Sequence, residues 1–371
     1  MPRTSRRKSP DNSRSVPSGG RPSRQPDRGF WEDRRVLVTG GASFIGSHLC
    51  DALDKLGSDL TIIDNFSSGR RTNLDGCERP VRVIRLDLEY ATDTDLKDAF
   101  ADQEVVFHLA AVHGGRGYID LHPADVASNF AIDHHVFEAS SWAGAGEVVF
   151  ASTACVYPPA LQARVGSSRK LKETDADLSD LTKPLSADLE YGWAKLMGEV
   201  QLRAFAHQYG LKGCSVRFVT AYGPRENETH AIIALIAKAL RRMDPYEIWG
   251  DGRQERDFTY VSDIVTGTLL AAEHLSDGSA LNLGTGHRWS LQDVAERILG
   301  LTGFRPRAIH HNRAKPTGVQ SRALDITRAQ QLLGWRPEVD LMTGLRRTVG
   351  WCAENLDLTG PLSDQLLVER A

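Results

Sequence analysis

Tyr191 and Lys195 stand four residues apart in a segment whose apolar residues follow helical spacing, so both side chains share one helix face. A free tyrosine has a pKa of about 10, so a phenolate base near neutral pH needs a downward shift of roughly three units, or about 4 kcal/mol. A neighbouring lysine ammonium shifts the pKa in that direction. Spacing alone is also typical of a solvated helix pair, so the meaning of this pair depends on the elements around it.

A glycine-rich turn follows the first strand pattern of the chain. The β-branched run at 35–39 predicts a buried strand, and the turn at 40–46 leads into a helical pattern over 47–53. Backbone N–H groups and the helix dipole attract a pyrophosphate there, and glycine lets the backbone approach it. The next strand ends in Asp64, 24 residues after Gly40, where a carboxylate binds ribose hydroxyls and repels a 2′-phosphate. These features predict a dinucleotide site that favours NAD over NADP.

Strand and helix patterns alternate through the first part of the chain. Strands are predicted at 81–86, 104–108, 147–151 and 213–218, and helices near 93–101, 122–141 and 190–209. This rhythm predicts an α/β fold of Rossmann type, a doubly wound parallel sheet, with a smaller mixed α/β substrate-binding lobe. The predicted divisions are a disordered basic tail over 1–28, an NAD-binding domain over 29–218 with 259–283 returning to it, a lobe over 219–258 and 284–350, and a C-terminal tail over 351–371.

The formal charge of −3 is the sum of two parts of the chain with opposite net charges. Residues 1–28 carry eight Lys or Arg and two Asp, a net of +6, which leaves −9 for residues 29–371. Prolines and serines predict a disordered tail, and the lack of aromatic residues before Phe30 argues against a nucleic-acid-binding arm. No apolar run approaches the roughly 20 residues of a membrane span. The five scattered cysteines lack a C-x-x-C pair, which favours a reducing cytoplasm and argues against a disulfide framework or a metal site.

The chain resembles the extended short-chain dehydrogenase/reductase family, particularly its nucleotide-sugar epimerases, from about residue 34 to 350. The matching segments follow one another in the family's order. They are Val38-Thr39-Gly40-Gly41, Phe44-Ile45-Gly46-Ser47, His108-Leu109-Ala110-Ala111, Ser152-Thr153, Tyr191-x-x-x-Lys195, Tyr222-Gly223-Pro224, Trp249-Gly250-Asp251-Gly252 and Arg256-Asp257-Phe258.

The resemblance implies an NAD cofactor and a set of residues that hold it. The implied set is Gly40, Ser43, Phe44, Ile45, Gly46, Asp64, Asp87, Leu88, Leu109, Ala110, Ala111, Tyr191 and Lys195. Ser43 departs from the family pattern because it replaces the middle glycine of G-x-x-G-x-x-G. Serine is compatible with that position if its φ is negative.

The resemblance also implies a catalytic set. Thr153 is expected to hold a sugar hydroxyl and relay its proton to Tyr191, so that the sugar is oxidised at C4 with NAD as hydride acceptor. Cys155 resembles a thiol found in GDP-mannose 3,5-epimerases and GDP-fucose synthases, and His230 stands where the synthases have histidine. Once C4 is a ketone, the protons on C3 and C5 are acidic, and Cys155 and His230 on opposite ring faces are candidates to exchange them. Taken alone, Cys155 also fits a small buried hydrophobe and His230 a helix N-terminus.

The predicted substrate site takes a nucleotide-diphosphate sugar. Arg256 and Arg322 resemble the family's diphosphate-binding arginines, whose planar charged fork suits phosphate oxygens. The loop at 113–119 looks like the glycine-rich substrate loop of the 3,5-epimerases. The predicted substrate-binding residues are Gly114, Gly115, Arg116, Ser152, Arg256 and Arg322.

The sequence therefore predicts an NAD-dependent nucleotide-sugar epimerase that passes through a 4-keto intermediate and inverts C3 and/or C5 through Cys155 and His230. One alternative is a 4-epimerase of an NDP-hexose or heptose, in which the ketone rotates before hydride return. A second is a non-catalytic NAD-binding regulator, against which the retained Tyr191, Lys195 and Thr153 count. Ala154-Cys155 replaces the Asp-Glu of the 4,6-dehydratases, which disfavours that reaction. The resemblance also implies a homodimer through the helices near 122–141 and 190–209.

Overall fold

A seven-stranded parallel sheet forms the centre of the computed structural model, which describes residues 22–179, 182 and 184–359. In chain order the strands of these residues are β1 (Arg35–Thr39), β2 (Asp59–Asp64), β3 (Arg82–Arg85), β4 (Val105–His108), β5 (Glu147–Thr153), β6 (Gly213–Phe218), β7 (Thr220–Tyr222), β8 (Tyr246–Trp249), β9 (Glu255–Arg256), β10 (Phe258–Tyr260), β11 (Asp277–Leu283), β12 (Trp289–Ser290) and β13 (Ile309–Asn312).

Helices pack on both faces of this sheet and build the lobe beside it. They are α1 (Arg28–Trp31), α2 (Phe44–Leu56), α3 (Asp93–Phe100), α4 (Arg116–Leu121), α5 (Pro123–Ala127), α6 (Asn129–Ala143), α7 (Leu189–Tyr209), α8 (Ala231–Leu240), α9 (Val261–His274), α10 (Leu291–Thr302), α11 (Thr327–Leu333) and α12 (Leu341–Asn355). None of the helices in the described part of the chain combines the length and the apolar character needed to cross a bilayer.

The strand order is β11-β6-β5-β4-β1-β2-β3, so the chain reverses direction across the sheet between β1 and β4. All neighbouring strands in it pair in parallel. Ligands of doubly wound sheets bind at the carboxyl ends of the strands where the order reverses, which here means beside Thr39 and His108. The predicted fold class is confirmed, and the topology places the site.

The central strands are buried on both faces, which explains why their sequences read as continuous apolar runs rather than alternating ones. In β1, Val36, Leu37 and Val38 are fully buried, and Leu37 packs in a different apolar cluster from its two neighbours. The two clusters lie on opposite faces of the sheet because successive strand side chains alternate. Helices cover both clusters, so the sheet is held rigidly.

The lobe consists of short strand pairs and helices that follow β6. The pairs are β7 with β10, β8 with β13, and β9 with β12. Segment 261–283 leaves the lobe, since α9 packs on the sheet and β11 pairs with β6 at its edge. The lobe therefore closes over the carboxyl ends of the strands.

The predicted tail boundaries were wrong in part. Residues 22–28 belong to the folded body, because Ser23 is buried and the N–H of Arg24 donates to the carbonyl of Gly334. The buried Trp31 of α1, whose Nε1 donates to Glu273 at 2.6 Å, anchors this segment. At the other end α12 continues to Asn355 rather than ending at 350. The rest of the predicted tails, residues 1–21 and 360–371, lies outside the described residues.

The predicted helix near 122–141 is two helices. The chain bends at Ser128, which ends α5 and precedes α6. The side chain of Asn129 is buried at this junction and binds the backbone of Val112 through both its amide oxygen and its amide nitrogen. The break therefore ties α6 to the loop that follows β4.

Candidate active site

A cleft of about 370 Å³ opens at the carboxyl ends of the strands, between the sheet and the lobe. Most of the predicted site residues line it. They are Gly40, Ser43, Phe44, Ile45, Gly46, Leu109, Ala111, Gly114, Gly115, Arg116, Ser152, Thr153, Cys155, Tyr191, Lys195, His230, Arg256 and Arg322. Asp64, Asp87, Leu88 and Ala110, which were also predicted to hold the cofactor, are not part of its wall. Residues 150 positions apart in the chain thus meet in one cavity.

The glycine-rich turn forms a cradle into which no side chain fits. A Cβ on Gly46 would overlap the carbonyl oxygen of Gly40, and Gly40 itself has a φ of +69°. Ser43 begins α2 with a φ of −85°, so serine replaces the usual glycine without strain. The first N–H groups of α2 are therefore left for a ligand, and the turn fits a dinucleotide pyrophosphate.

Asp64 braces this cradle from the end of β2. Its carboxylate accepts hydrogen bonds from the N–H groups of Ala42 at 2.9 Å and Phe66 at 2.8 Å. Burial raises the pKa of Asp64, and these backbone hydrogen bonds oppose that rise. A carboxylate has about four lone-pair sites, so the two bonds leave capacity for ribose hydroxyls. At the next strand end Asp87 accepts from Asn65, and Leu88 is buried in the core.

Lys195 belongs to a series of buried polar side chains in contact with one another, which starts at Thr39 in β1. Its Nζ lies 3.6 Å from Oδ1 of Asp133, and the same oxygen lies 2.9 Å from Nε2 of His108. The other ring nitrogen of His108 lies 2.9 Å from the hydroxyl of Thr39. Lys195 is only 1% exposed, so a carboxylate is needed to compensate its charge. Sequence analysis missed Asp133 and His108, although an aspartate on the buried face of α6 is a signal in itself.

The pKa of Tyr191 differs from the expectation. Burial raises the pKa of its phenol above the ordinary value, and the nearby Cys155 and Asp133 act in the same direction. Burial also lowers the pKa of Lys195, an effect that Asp133 opposes. The sequence predicted a phenolate stabilised by Lys195 and by the positive nicotinamide ring, and the protein's own residues do not favour it. The positive nicotinamide of bound NAD is the remaining group that lowers this pKa.

Ser152, a predicted substrate ligand, lines the cleft, but its hydroxyl is engaged within the protein. Its hydroxyl is buried and donates to Oε1 of Glu199, which lies on α7 and pairs with Arg217 of β6. That hydroxyl therefore fastens α7 to the sheet. The hydroxyl of Thr153, one residue on, accepts from the N–H of Cys155 at 3.2 Å and begins a single 3₁₀ turn at Ala154–Val156. The turn places Cys155 on the cleft wall.

Arg322 contacts the cysteine. Its Nη1 lies 3.2 Å from Sγ of Cys155, and its Nη2 lies 2.9 Å from Oδ2 of Asp188. Arg116 reaches Asp188 from α4, with Nη1 at 3.0 Å from Oδ1. Burial raises the pKa of Asp188, but the two guanidinium groups outweigh it and hold that pKa below its ordinary value. Arg322 therefore connects the sulfur of Cys155 to the carboxylate of Asp188 on this side of the cleft.

Arg256 is a cation without a carboxylate partner among the described residues. Its guanidinium donates to the carbonyl oxygens of Glu255 at 2.8 Å and Thr317 at 2.6 Å. Burial and the charge of Arg322 lower its pKa to about 9. A buried arginine in this position gains most from an anionic ligand.

On the lobe side, His230 meets two residues that sequence analysis missed. Its Nδ1 lies 3.0 Å from Oε1 of Glu226, and its ring stacks on His113 with centroids 5.9 Å apart. Gly115 packs directly on this segment, because a Cβ there would overlap the carbonyl oxygen of Thr229. The only sequence signal for Glu226 was its position four residues before His230.

Known proteins are similar to this chain in sequence and in fold. The profile of the NAD dependent epimerase/dehydratase family matches residues 36–284.

The chain belongs to the NAD-dependent epimerase/dehydratase family.

Its relatives in this family differ in the reactions for which they are named. GDP-mannose 3,5-epimerase 1 of Oryza sativa subsp. indica is 31% identical over 340 residues, covering 88% of this chain and 84% of the relative. The structure of UDP-glucose 4-epimerase from Thermotoga maritima with UDP-glucose has a TM-score of 0.77 at 30% identity, covering 87% of this chain and all of that one. MoeE5 in complex with UDP-glucuronic acid and NAD has a TM-score of 0.72 at 34% identity, with coverage of 87% and 100%.

These findings confirm the predicted family, the enzyme class and the NAD cofactor. The glycine cradle and the Tyr191–Lys195 pair line the cleft, and Asp64 binds the backbone behind the cradle. Family membership alone covers epimerases and dehydratases, so the reaction has to be argued from the cleft.

Proposed function

We propose that the protein is a nucleotide-sugar epimerase that oxidises its substrate at C4 and inverts C3 and/or C5 through Cys155 and His230. The observation that carries this proposal is that the cleft wall contains the thiol of Cys155 and the imidazole of His230 in addition to Tyr191, Lys195 and Thr153. A 4-epimerase needs no such groups, because rotation of the ketone changes the face that receives the hydride. Because similar proteins are named 4-epimerases, C4 epimerisation is the alternative that the experiment below tests.

In the first step Tyr191 acts as the base for the C4 hydroxyl. Thr153 holds that hydroxyl and passes its proton to the phenolate. Lys195, fixed by Asp133, stabilises the phenolate by its charge. NAD supplies the hydride acceptor and later the donor when it is bound in the cradle. The reaction is redox-neutral because the same carbon is oxidised and then reduced.

In the second step the ketone makes the neighbouring C–H groups acidic. Inversion requires that a proton leave one face of the ring and return to the other. The Sγ of Cys155, which contacts the Arg322 guanidinium, is the proposed group that takes this proton. An imidazole that pairs with a carboxylate, as His230 does with Glu226, is suited to return one.

The substrate proposed is a nucleotide-diphosphate sugar. The guanidinium of Arg256 is hydrogen-bonded only to backbone carbonyl oxygens among the described residues. A diphosphate would supply the negative charge that those carbonyls lack. Arg322 was predicted for the same task. Its contacts with Cys155 and Asp188 support a role beside the reacting sugar instead.

Turnover in D₂O is expected to place deuterium on C3 or C5 of the recovered sugar. The proton that His230 returns to carbon has exchanged with D₂O, so the new C–H bond carries the label. The measurement is NMR of a panel of GDP-, UDP- and ADP-linked sugars after incubation with the enzyme. Cys155→Ser and His230→Asn are expected to lose the label while cofactor reduction, which reports C4 oxidation, persists.

Two outcomes separate this reaction from its rivals. Epimerisation at C4 with unlabelled carbon in the wild type, and full activity in the Cys155→Ser/His230→Asn double variant, would establish rotation of the ketone. No cofactor reduction with any sugar in the panel would instead support a non-catalytic NAD-binding regulator.

We also propose that the protein is a homodimer through α6 and α7. Trp193 and Met197, one turn apart on α7, are 43% and 42% exposed, and Phe130 of α6 is exposed beside them. Large apolar side chains grouped on a helix pair are typical of a protein interface. Analytical ultracentrifugation is expected to give a dimer for the wild type and a monomer for Trp193→Lys/Met197→Glu. The matched surface variant Leu332→Lys on α11 should remain dimeric, and a monomeric wild type would refute the proposal.

We propose that the protein works in the cytoplasm. All five cysteines, Cys50, Cys77, Cys155, Cys214 and Cys352, are free thiols. Free thiols are typical of proteins that work in a reducing compartment.

A further inference from the structure

Glu226 is a buried carboxylate that the reaction as described above does not use. It is 4% exposed, and its Oε1 lies 3.0 Å from Nδ1 of His230. Among the described residues, neither Oε2 of Glu226 nor Nδ1 of His230 makes a hydrogen bond of good geometry, so the two side chains are joined as an ion pair. A carboxylate in this state is costly to bury, so the fold does not keep it for stability alone.

The imidazole of His230 is enclosed by groups from several elements. His113, on the loop after β4, stacks on it at an interplanar angle of 7°, and the carbonyl of Gly114 lies beside the ring. The ammonium of Lys195 acts on His113 from α7. Arg116 and Lys238 line the same cleft from α4 and α8. Among these groups Glu226 is the one carboxylate paired with the ring.

We propose that Glu226 is a positioning residue for His230, which it holds through Nδ1 in the protonated form that donates a proton from Nε2 to the sugar carbon. The inference rests on the proposed acid–base role of His230. It adds a residue that the family resemblance did not supply and that makes no contact with the reacting atoms.

The pKa values of His230 and His113 fit the proposal that His230 is the protonated ring. Burial lowers the pKa of His230, but the carboxylate of Glu226 outweighs it, so that pKa is raised above the ordinary value. Burial and the charges of His230 and Lys195 lower the pKa of His113 to about 4. At neutral pH His113 is therefore neutral, and a proton on the pair resides on His230.

The proton balance of the inversion closes with these residues. The Cys155 thiolate takes the proton from the carbon next to the ketone, and the electron pair of that C–H bond moves into the enolate. The enolate carbon then forms a new C–H bond, on the other face, with the proton of His230. Cys155 ends protonated and His230 neutral, and proton exchange with water restores both.

The test is the pH dependence of deuterium uptake at carbon in the variant Glu226→Gln. Deuterium uptake at carbon is expected to fall above the pKa of His230, and in the variant that fall should occur at lower pH. If the pKa drops by one unit, uptake on the alkaline side drops about tenfold, because one unit is a tenfold change in the protonated fraction. Cofactor reduction at C4 should keep its wild-type profile. Glu228→Gln, a neighbouring carboxylate that pairs with Arg241, is the matched control and should leave both profiles unchanged.

A titration of the His230 ring by NMR measures the same coupling without turnover. The pKa of His230 is expected to be lower in Glu226→Gln, with Glu226→Asp in between, and the Asp variant also serves if the Gln variant does not fold. An unchanged pKa and an unchanged uptake profile would overturn the inference while leaving the proposed function intact. Wild-type enzyme that takes up no label at C3 or C5 would remove both the proposed function and the catalytic part of this inference.

Discussion

Tyr191→Phe is expected to slow oxidation at C4 by a factor of about 10²–10⁴, the range that a positioned general base contributes. Phenylalanine keeps the ring that packs in the cleft wall and removes only the oxygen that accepts the proton. Substrate affinity should therefore change little, because the lost interaction belongs to the transition state. Rapid-mixing measurement of cofactor reduction after addition of the nucleotide sugar gives the rate.

The same experiment has a control on the same helix. Tyr209 lies at the exposed end of α7, and Tyr209→Phe should leave the rate unchanged. In the wild type the rate is expected to rise with pH, because burial raises the pKa of the Tyr191 phenol and the phenolate is the reactive form. A Tyr191→Phe variant with wild-type rate would show that another group removes the proton.

Glu199→Gln is expected to lower the free energy of unfolding by about 3–5 kcal/mol, the cost of breaking a buried ion pair by removing one partner. Arg217 is 1% exposed, and its fork meets both oxygens of Glu199, with Nε–Oε1 at 2.9 Å and Nη2–Oε2 at 2.7 Å. Glutamine has almost the same shape, so the variant removes the charge and leaves the arginine uncompensated in the core. Urea unfolding followed by circular dichroism measures the difference.

An exposed ion pair provides the comparison for this variant. Glu32 pairs with Arg28 on α1 at 3.5 Å, and both side chains are more than half exposed. Glu32→Gln should leave stability unchanged, because exposed pairs contribute little. If Glu199→Gln left the free energy of unfolding unchanged as well, the prediction would be wrong. Water or a neighbouring side chain would then compensate the charge of Arg217.

The amino-acid sequence was sufficient for the parts of the protein that depend on local rules. The glycine turn at 40–46 could be read because only glycine fits where a Cβ would overlap the backbone. The strands at 147–151 and 213–218 were found within two residues because they contain β-branched and aromatic residues, which favour strands. Tyr191 and Lys195 were placed on one face because helical geometry fixes side chains four residues apart.

The sequence was a poor guide where a side chain's partner lies far along the chain. Ser152 looked like a substrate ligand from its position beside Thr153, but Glu199, 47 residues on, engages its hydroxyl. Trp31 lies just after a stretch with the composition of a disordered tail, yet Glu273 and the core enclose it.

The sequence by itself determined the α/β fold, the glycine turn and many of the residues at the cleft, because periodicity and steric limits act locally. The tertiary structure alone decided their protonation and their partners. Asp133 lies beside Lys195, Arg322 beside Cys155 and Glu226 beside His230 only after the sheet and the lobe have packed together. Burial and charge at a few ångströms shift the pKa values of Lys195 and His230, and neither can be read from spacing along the chain.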